Sequence, residues 1–300
     1  MDRIKVWITA FRPFSFTATI IPVLLGTVLA VVDLGRVNYY SFLVVLIGVL
    51  LLHSGTNLIN DYYDYRNGVD SKEYPGGSGF VPGDIILAYQ LRVAALICFS
   101  LSFLLALYLI YQQGLVIALI FGIGIAGGYF YTAGPINYKY YALGVPGVFI
   151  LLGPILVGIS YYVQTASYNN RVFLVSLPVA LLVSAILHSN DLRDMEHDSE
   201  VGINTLANIL DRKLAGQLYF WLLGLAYFLI CYLILRGVLP LWALITLITV
   251  PQAAENVAII IFSQENRRSK VEELERKTAN LHFKFGLLLV LSLLSSNLLS

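Results

Sequence analysis

Residues 41–64 read SFLVVLIGVLLLHSGTNLINDYYD, a hydrocarbon run that gives way within two helical turns to Asn57, Asn60, Asp61 and Asp64. A helix needs about 20 consecutive, mostly apolar residues to cross a bilayer. His53 is the one titratable side chain before the acids begin. The stretch therefore predicts a membrane-spanning helix that ends in a carboxylate cluster.

The rest of the chain shares this character. Of its 300 residues, 58% are apolar and 12% charged, whereas an average soluble domain is about 25% charged. A water-soluble globule is excluded. Nine apolar runs are long enough to span, near 13–32, 41–58, 93–111, 115–131, 143–163, 172–188, 216–235, 239–262 and 281–299. The expected fold is an all-α integral membrane bundle of nine transmembrane helices, one polytopic domain over residues 1–300. The first run follows Arg3, Lys5 and Arg12 as a secretory signal would, but it is too long for one and eight spans follow it. It reads as a permanent helix.

Charge is balanced, 19 basic against 18 acidic side chains. No global field gathers polyanions, which argues against nucleic acid as a partner. Basic residues are retained on the cytoplasmic side of a membrane. An inward N-terminus places sixteen of the nineteen there and leaves Arg36, Arg171 and Arg236 outside. A multi-pass protein of the cell membrane is expected, its N-terminus cytoplasmic and its C-terminus on the opposite side. Cys98 and Cys231 stand alone in apolar runs, without zinc-ligand spacing or a disulfide framework, and read as packing residues.

Eleven of the eighteen acids fall in two inward segments, 61–92 and 190–213. Each segment begins with the same phrase. Asn60-Asp61-Tyr62-Tyr63-Asp64 closes the second helix and Asn190-Asp191-Leu192-Arg193-Asp194 the sixth, 130 residues later. Such a repeat suggests internal duplication with two equivalent helix ends. At 100° per residue Asn57, Asp61 and Asp64 share one face, and so do Asp191, Asp194 and Asp198. Carboxylates facing each other in a low-dielectric bundle repel unless cations are present. Mg²⁺ takes oxygen ligands, keeps several waters and is usually held by one or two carboxylates plus substrate phosphates. Two open-sided clusters of this kind suit a diphosphate that arrives with metal, and Asn57, Asn60 and Asn190 can hydrogen-bond the diphosphate or the metal-bound waters.

Arg12, Lys72, Lys139 and Arg193 can complete a diphosphate site. Lys139, in the fourth-to-fifth connector, and Arg193, inside the second phrase, are the best placed. Pro75-Gly76-Gly77-Ser78-Gly79 can cradle phosphate with its N–H groups, though a flexible lid is the simpler reading. Phe130, Tyr131 and Tyr138 beside Lys139 offer ring faces to a carbocation. His53 and His188, each alone on its helix, read as hydrogen-bonded within the bundle rather than as a haem pair. Glu255 is the one carboxylate within a late span, and the sequence names no partner for it. Residues 264–280, with Glu272, Glu273 and Glu275 beside Arg276 and Lys277, read as a solvated connector without a role.

Together these features resemble the UbiA-type intramembrane aromatic prenyltransferases. The resemblance rests on the two Asp-rich phrases, the Arg12-Pro13 lead-in to the first helix, Tyr131-Thr132, Tyr138-Lys139 and the nine spans, and it covers nearly the whole chain. Asn57-Leu-Ile-Asn60-Asp61-Tyr-Tyr-Asp64 followed by Gly68 and Asp70, and His188-Ser-Asn190-Asp191-Leu-Arg193-Asp194-Met-Glu-His-Asp198 through Gly202-Ile-Asn204-Thr205-Leu206, are most similar to the 1,4-dihydroxy-2-naphthoate polyprenyltransferases of menaquinone synthesis. Two positions depart from relatives: Gly68 stands where the hydroxybenzoate branch has a third Asp, and Phe80 where a basic residue is common.

The resemblance implies transfer of a prenyl group from a polyprenyl diphosphate to an aromatic ring, with loss of CO₂ when the acceptor is dihydroxynaphthoate. Asp61, Asp64, Asp191 and Asp194, supported by Asp198 and Asp70, would hold Mg²⁺, two ions in all, against the diphosphate. Lys139 and Arg193 would join them in catalysis. Arg12, Lys72, Asn57, Asn60, Asn190, Tyr131 and Tyr138 would contact substrate. The nearest competing reading is the same chemistry on homogentisate, hydroxybenzoate, a haem vinyl group or a glycerol ether lipid. A divalent-cation transporter is the reading from another class, but its ligands usually lie near the bilayer midplane on broken helices.

Overall fold

A computed structural model describes residues 2–262 and 273–299, and it is helical throughout: among those residues no strand forms, only a single bridge between Tyr141 and Asn204. The helices are α1 (Arg3–Ala10), α2 (Thr17–Leu34), α3 (Tyr39–Arg66), α4 (Ala88–Gln113), α5 (Leu115–Tyr129), α6 (Gly144–Thr165), α7 (Asn170–Glu200), α8 (Leu206–Leu235), α9 (Leu241–Ile261) and α10 (Leu274–Leu299). Among the described residues eight are long and apolar enough to span, all but α1 and α5. The ninth expected span, the run at 115–131, is α5. Its 15 residues reach about 22 Å, short of a hydrocarbon core of roughly 30 Å.

Hydropathy located these helices but not their ends. α3 continues past Leu58 to Arg66 and α7 past His188 to Glu200, while α10 begins at Leu274 rather than at 281. Apolar runs register where side chains meet hydrocarbon, whereas backbone hydrogen bonding carries on into water until a breaker intervenes. No Gly or Pro stands in either extension of α3 or α7. The second Asp phrase, expected to close its helix, therefore lies inside α7. That helix, 31 residues or about 46 Å, projects some three turns beyond its apolar part. α8 starts at Leu206 rather than 216 and bends at Asp211, where φ is 64°. The Asp211 carboxylate accepts from the N–H groups of Lys213 and Leu214, as an N-cap does.

Three apolar clusters hold the bundle. The largest joins α2, α7, α8 and α10 through Ile21, Leu25, Leu182, Tyr219, Ile230, Phe285 and Leu289. Gly26 lets α2 approach α6 closely, since a Cβ there would collide with the Val157 carbonyl, as small residues allow between membrane helices. A second cluster packs α1 and the α3–α4 loop against the ends of those two helices through Ala10, Leu58, Tyr62, Phe80, Val81 and Phe99. Phe80 is a core residue, and it ties the Gly-rich loop down. The third cluster, Val44, Val45, Leu109, Ile117 and Leu156, sits at the other end of the same helices. Between the second and third clusters the bundle is hollow.

Candidate active site

The hollow is a cavity of about 290 Å³. One end is polar, lined by Arg12, Asn57, Asn60, Asp64, Asp70, Lys139, Asn190, Arg193, Asp194, Asp198 and Glu275. The remainder is mostly hydrocarbon from α3, α4, α5 and α6, including Val45, Val49, Leu105, Leu109, Ile120, Leu152 and Leu156. Asp64 and Val44 both line it and lie 20 residues apart on α3, so its length along that helix is about 30 Å. α6 widens at Gly153-Pro154, where the backbone leaves the α-helical pattern over Leu151–Ile155; Leu151, Leu152 and Ile155 line the cavity, and such an interruption re-aims side chains.

The two Asp phrases meet at the polar end. Asp64 on α3 accepts from Lys139 Nζ at 2.8 Å, Tyr140 Oη at 2.6 Å and Asn60 Nδ2 at 3.0 Å. Asp194 on α7 accepts from Arg193 at 2.7 and 2.8 Å and from Tyr74 Oη at 3.0 Å. Tyr74 comes from the α3–α4 loop and stacks on His197 of α7 at 3.7 Å, and His197 Nε2 bonds the Val69 carbonyl at 2.6 Å. The loop after α3 thus bridges to α7 across the cavity. Arg12 has left-handed backbone geometry, φ 54°, unusual for a residue with a side chain. Its guanidinium pairs with Asp61. Asp61 also accepts from the Ser78 N–H at 3.0 Å, and Gly77, φ 58°, lies against both partners where a Cβ would collide. The Gly-rich turn caps a carboxylate here.

Negative charge exceeds positive at this end. Five carboxylates line it, Asp64, Asp70, Asp194, Asp198 and Glu275, against the three cations Arg12, Lys139 and Arg193. Asp70, Asp191 and Asp198 have no ion pair among the described residues. Burial opposes charge on Lys139, but Asp64 and, more weakly, Asp198 hold its amine well above the usual lysine value. Burial also pushes the Tyr138 hydroxyl up to about 12. Asp70, in the loop, is pushed up to about 7 by burial first and then by Asp64 and Asp61.

That shift has a sign. Asp70 ionises near 3.8 when unperturbed, so its share of stability is full below pH ~4 and is lost as pH rises through about 7. The ligand-free protein is expected to melt lower at pH 8 than at pH 5.5, and Asp70→Asn to flatten the difference. Thermal melting at the two pH values checks this; a wild-type melting temperature that rises toward pH 8 contradicts it.

Asp61 and Asp191 lie just behind the lining, 3% and 4% exposed. Lys72 is not brought to the cavity; it is exposed and pairs with Asp84 at 2.7 Å. Tyr131 and Tyr138 line the cavity, Tyr138 with its hydroxyl spent on the Gly127 carbonyl at 2.9 Å. His53 and His188 are hydrogen-bonded inside the bundle, His188 to the Ala215 carbonyl at 2.8 Å. Glu255 stands on the exposed side of α9. Cys98 and Cys231 are free thiols.

Residues 264–272 of the connector without an expected role lie outside the described residues. Its Glu275, by contrast, opens α10 and bonds Arg193 at 2.8 Å and Asn190 at 3.4 Å. Glu275, Tyr74, His197 and Tyr140 are the residues at this end that sequence reasoning missed. His197 inside the second phrase and Tyr140 beside Lys139 carried a positional signal. Tyr74 and Glu275 carried none.

No three His, Cys, Asp or Glu groups converge as a ready metal cage among the described residues. The donor set is nevertheless all oxygen, open toward the cavity and short of positive charge. Those properties fit a hard cation that keeps water and phosphate ligands of its own.

The UbiA prenyltransferase family, as a sequence family, matches residues 19–281. The chain is 34% identical over 285 residues to 1,4-dihydroxy-2-naphthoate octaprenyltransferase of Bacillus subtilis (strain 168), covering 95% of this chain and 91% of that protein. It is 35% identical over 294 residues to UbiA prenyltransferase domain-containing protein 1 of Rattus norvegicus, covering 96% and 83%. In fold it is similar to a UbiA homolog from Archaeoglobus fulgidus solved bound to DMAPP and Mg²⁺, with a TM-score of 0.62, 14% identity and coverage of 95% and 98%.

Proposed function

The chain belongs to the UbiA prenyltransferase family, and from that premise we propose a Mg²⁺-dependent transfer of a polyprenyl group from its diphosphate to an aromatic ring. The enzyme is a prenyltransferase. Its acceptor in this reading is 1,4-dihydroxy-2-naphthoate, and the reaction releases diphosphate and CO₂ within menaquinone synthesis. The single observation that carries the reading is the cavity itself. One end gathers carboxylates from two helices with Arg12, Lys139 and Arg193, and the rest of its length of about 30 Å is mostly hydrocarbon. A prenyl diphosphate has that same division of polarity. The 34% identity to the Bacillus subtilis naphthoate enzyme over 95% of the chain supports the acceptor.

Asp61, Asp64, Asp191 and Asp194, with Asp70 and Asp198, would hold Mg²⁺. When bound, the metal neutralises charge that grows on the leaving diphosphate. The protein's own groups do the rest. Arg12, Lys139 and Arg193 can exchange one carboxylate contact for a phosphate oxygen and so grip the leaving group electrostatically. The rings of Tyr131 and Tyr138 border the site, Lys139 Nζ lying 5.9 Å from the Tyr131 centroid, and their faces favour positive charge developing at the allylic carbon. The apolar walls exclude water that would otherwise capture it. The short α5 forms a ninth crossing in this reading, the N-terminus lies in the cytoplasm and the C-terminus opposite.

Purified full-length protein, Mg²⁺, labelled geranylgeranyl diphosphate and a panel of dihydroxynaphthoate, homogentisate, hydroxybenzoate and a glycerol ether lipid test the reading. Prenylated naphthoate formed only with Mg²⁺ is the expected product; a preference for another acceptor would replace this substrate assignment. The channel makes a separate prediction. Gly48 lines it 16 residues from Asp64, about 24 Å along α3. Gly48→Phe is expected to lower use of octaprenyl diphosphate by about tenfold or more, since overpacking costs roughly 1–3 kcal/mol, while geranyl diphosphate is used as before. Competition between the two donors measures it, and an equal loss on both means the tail does not run this way.

A further inference from the structure

We propose that Asn57 reads a ring hydroxyl of the acceptor, an assignment that rests on the aromatic prenyl transfer above. The Asn57 amide nitrogen has two hydrogens, and both are spent on protein: one on the Phe11 carbonyl at 3.0 Å, the other on Ser15 Oγ at 3.3 Å. Ser15 donates its own hydrogen to the Arg12 carbonyl at 2.8 Å. Toward His53 Nε2, at 3.2 Å, Ser15 can therefore only accept. His53 then carries its hydrogen on Nε2, and its Nδ1 accepts from Thr19 Oγ1 at 2.6 Å.

Thr19, His53 and Ser15 donate in one consistent direction, and the result is a lock on the amide. Turning Asn57 over would set its oxygen against the Phe11 carbonyl and against a Ser15 oxygen that has no hydrogen left to give. What remains is Oδ1. It accepts from no donor among the described residues, and Asn57 borders the cavity. The side chain has no N–H left for a diphosphate; it presents an acceptor alone.

Its position gives that acceptor a use. Asp64, Asp61, Asn57 and His53 form one stripe on α3, with Asn57 one turn, about 6 Å, deeper than Asp61. One turn deeper still is His53, and beyond it the wall is Leu52, Val49 and Val45. Asn57 thus lies between the end that grips a leaving group and the channel that takes a tail, at the level of the bond that breaks. A neutral acceptor there matches a hydroxyl. A ring whose O–H donates to Oδ1 is oriented and made more electron-rich at the adjacent carbon. That carbon bonds the allylic C1 while the C1–O bond breaks, its electron pair leaving on the diphosphate. The ring regains aromaticity by giving a proton from the attacked carbon to the leaving diphosphate, or by releasing CO₂ where a carboxylate stands. The hydroxyl keeps its proton throughout.

The test compares wild type and Asn57→Leu on 1,4-dihydroxy-2-naphthoate and its 1-O-methyl and 4-O-methyl ethers, with Mg²⁺ and labelled geranylgeranyl diphosphate. Wild type is expected to prefer the free diol over one ether by about tenfold or more. In the variant kcat/KM for the diol falls roughly 10- to 100-fold, the preference disappears, and the KM for the prenyl diphosphate and the Mg²⁺ requirement stay unchanged. Should the variant keep the preference and instead raise the diphosphate KM or the Mg²⁺ requirement, Asn57 serves the leaving group and the assignment is overturned. If Asn57→Leu does not fold, Ser15→Ala, which removes one of the two acceptors that fix the amide and leaves the Phe11 carbonyl, is expected to erode the preference about three- to tenfold; full selectivity in it overturns the assignment equally. A wild type that prenylates none of the three acceptors sinks the functional reading, and this one with it.

Discussion

Asp64→Asn is expected to lower prenyl transfer by about a thousandfold, roughly 4 kcal/mol of transition-state stabilisation. Asp64 is where three donors from two parts of the chain converge, Asn60 of its own helix and Lys139 and Tyr140 of the α5–α6 connector. The substitution keeps the shape of the side chain, removes its charge and turns one of its two acceptor oxygens into an N–H donor. A single turnover assay with labelled donor, read beside thermal melting, separates lost chemistry from lost folding. Asp84→Asn, which frees the exposed Lys72 on the surface, provides the comparison and is expected to change neither, as surface ion pairs contribute little. Activity within threefold of wild type in Asp64→Asn would remove this carboxylate from the chemistry.

The second large effect is expected from Lys139→Met. This ammonium is largely buried, 13% exposed, and pairs with an Asp64 side chain that is 5% exposed. Removing one member of such a pair destabilises by about 3–5 kcal/mol, because the remaining charge is stranded. Asp64, Asp70 and Asp198 would then face the cavity with Arg12 and Arg193 as the cations there. Transfer is expected to drop by about 10²- to 10³-fold, and the melting temperature by roughly 5–10 °C. Added Mg²⁺ should recover more of the melting temperature in Lys139→Met than in wild type, since a divalent cation can take the place of the missing ammonium. Equal Mg²⁺ responses in the two proteins would mean that the carboxylates there do not share the charge of Lys139.

The missed and misplaced features have one origin. The α7 extension was invisible to hydropathy because residues 189–200 are polar and still helical. Asn57 could be placed on the acidic face of its helix from spacing, yet what its amide, or that of Asn60 or Asn190, can do depends on which of its hydrogens are already committed. Asn57 is the clearest case: Phe11, Ser15, Arg12, His53 and Thr19 must all be in place before its free atom is known to be an oxygen. Lys72 and Lys139 both read as inward-side cations, Lys139 the better placed of the two. One pairs with Asp84 on the surface and the other enters the cavity, because the turn at Asn137 and the backbone bonds to Phe130 and Tyr131 carry Lys139 inward.

Composition, the period of the apolar runs and the duplicated Asn-Asp phrases belong to the chain before it folds, and they suffice for a helical membrane protein with two acidic helix ends. Hydropathy, charge and spacing are local quantities, so a window of residues contains them. The committed donors are not local. Arg12 meets Asp61 across 49 residues, Tyr140 meets Asp64 across 76, Arg193 meets Glu275 across 82 and Tyr74 meets Asp194 across 120. A hydrogen bond is a short-range, directional interaction, and each of these exists only where packing of distant helices brings donor and acceptor within about 3 Å. Which atoms are left over to meet a substrate is settled at that point and at no earlier one.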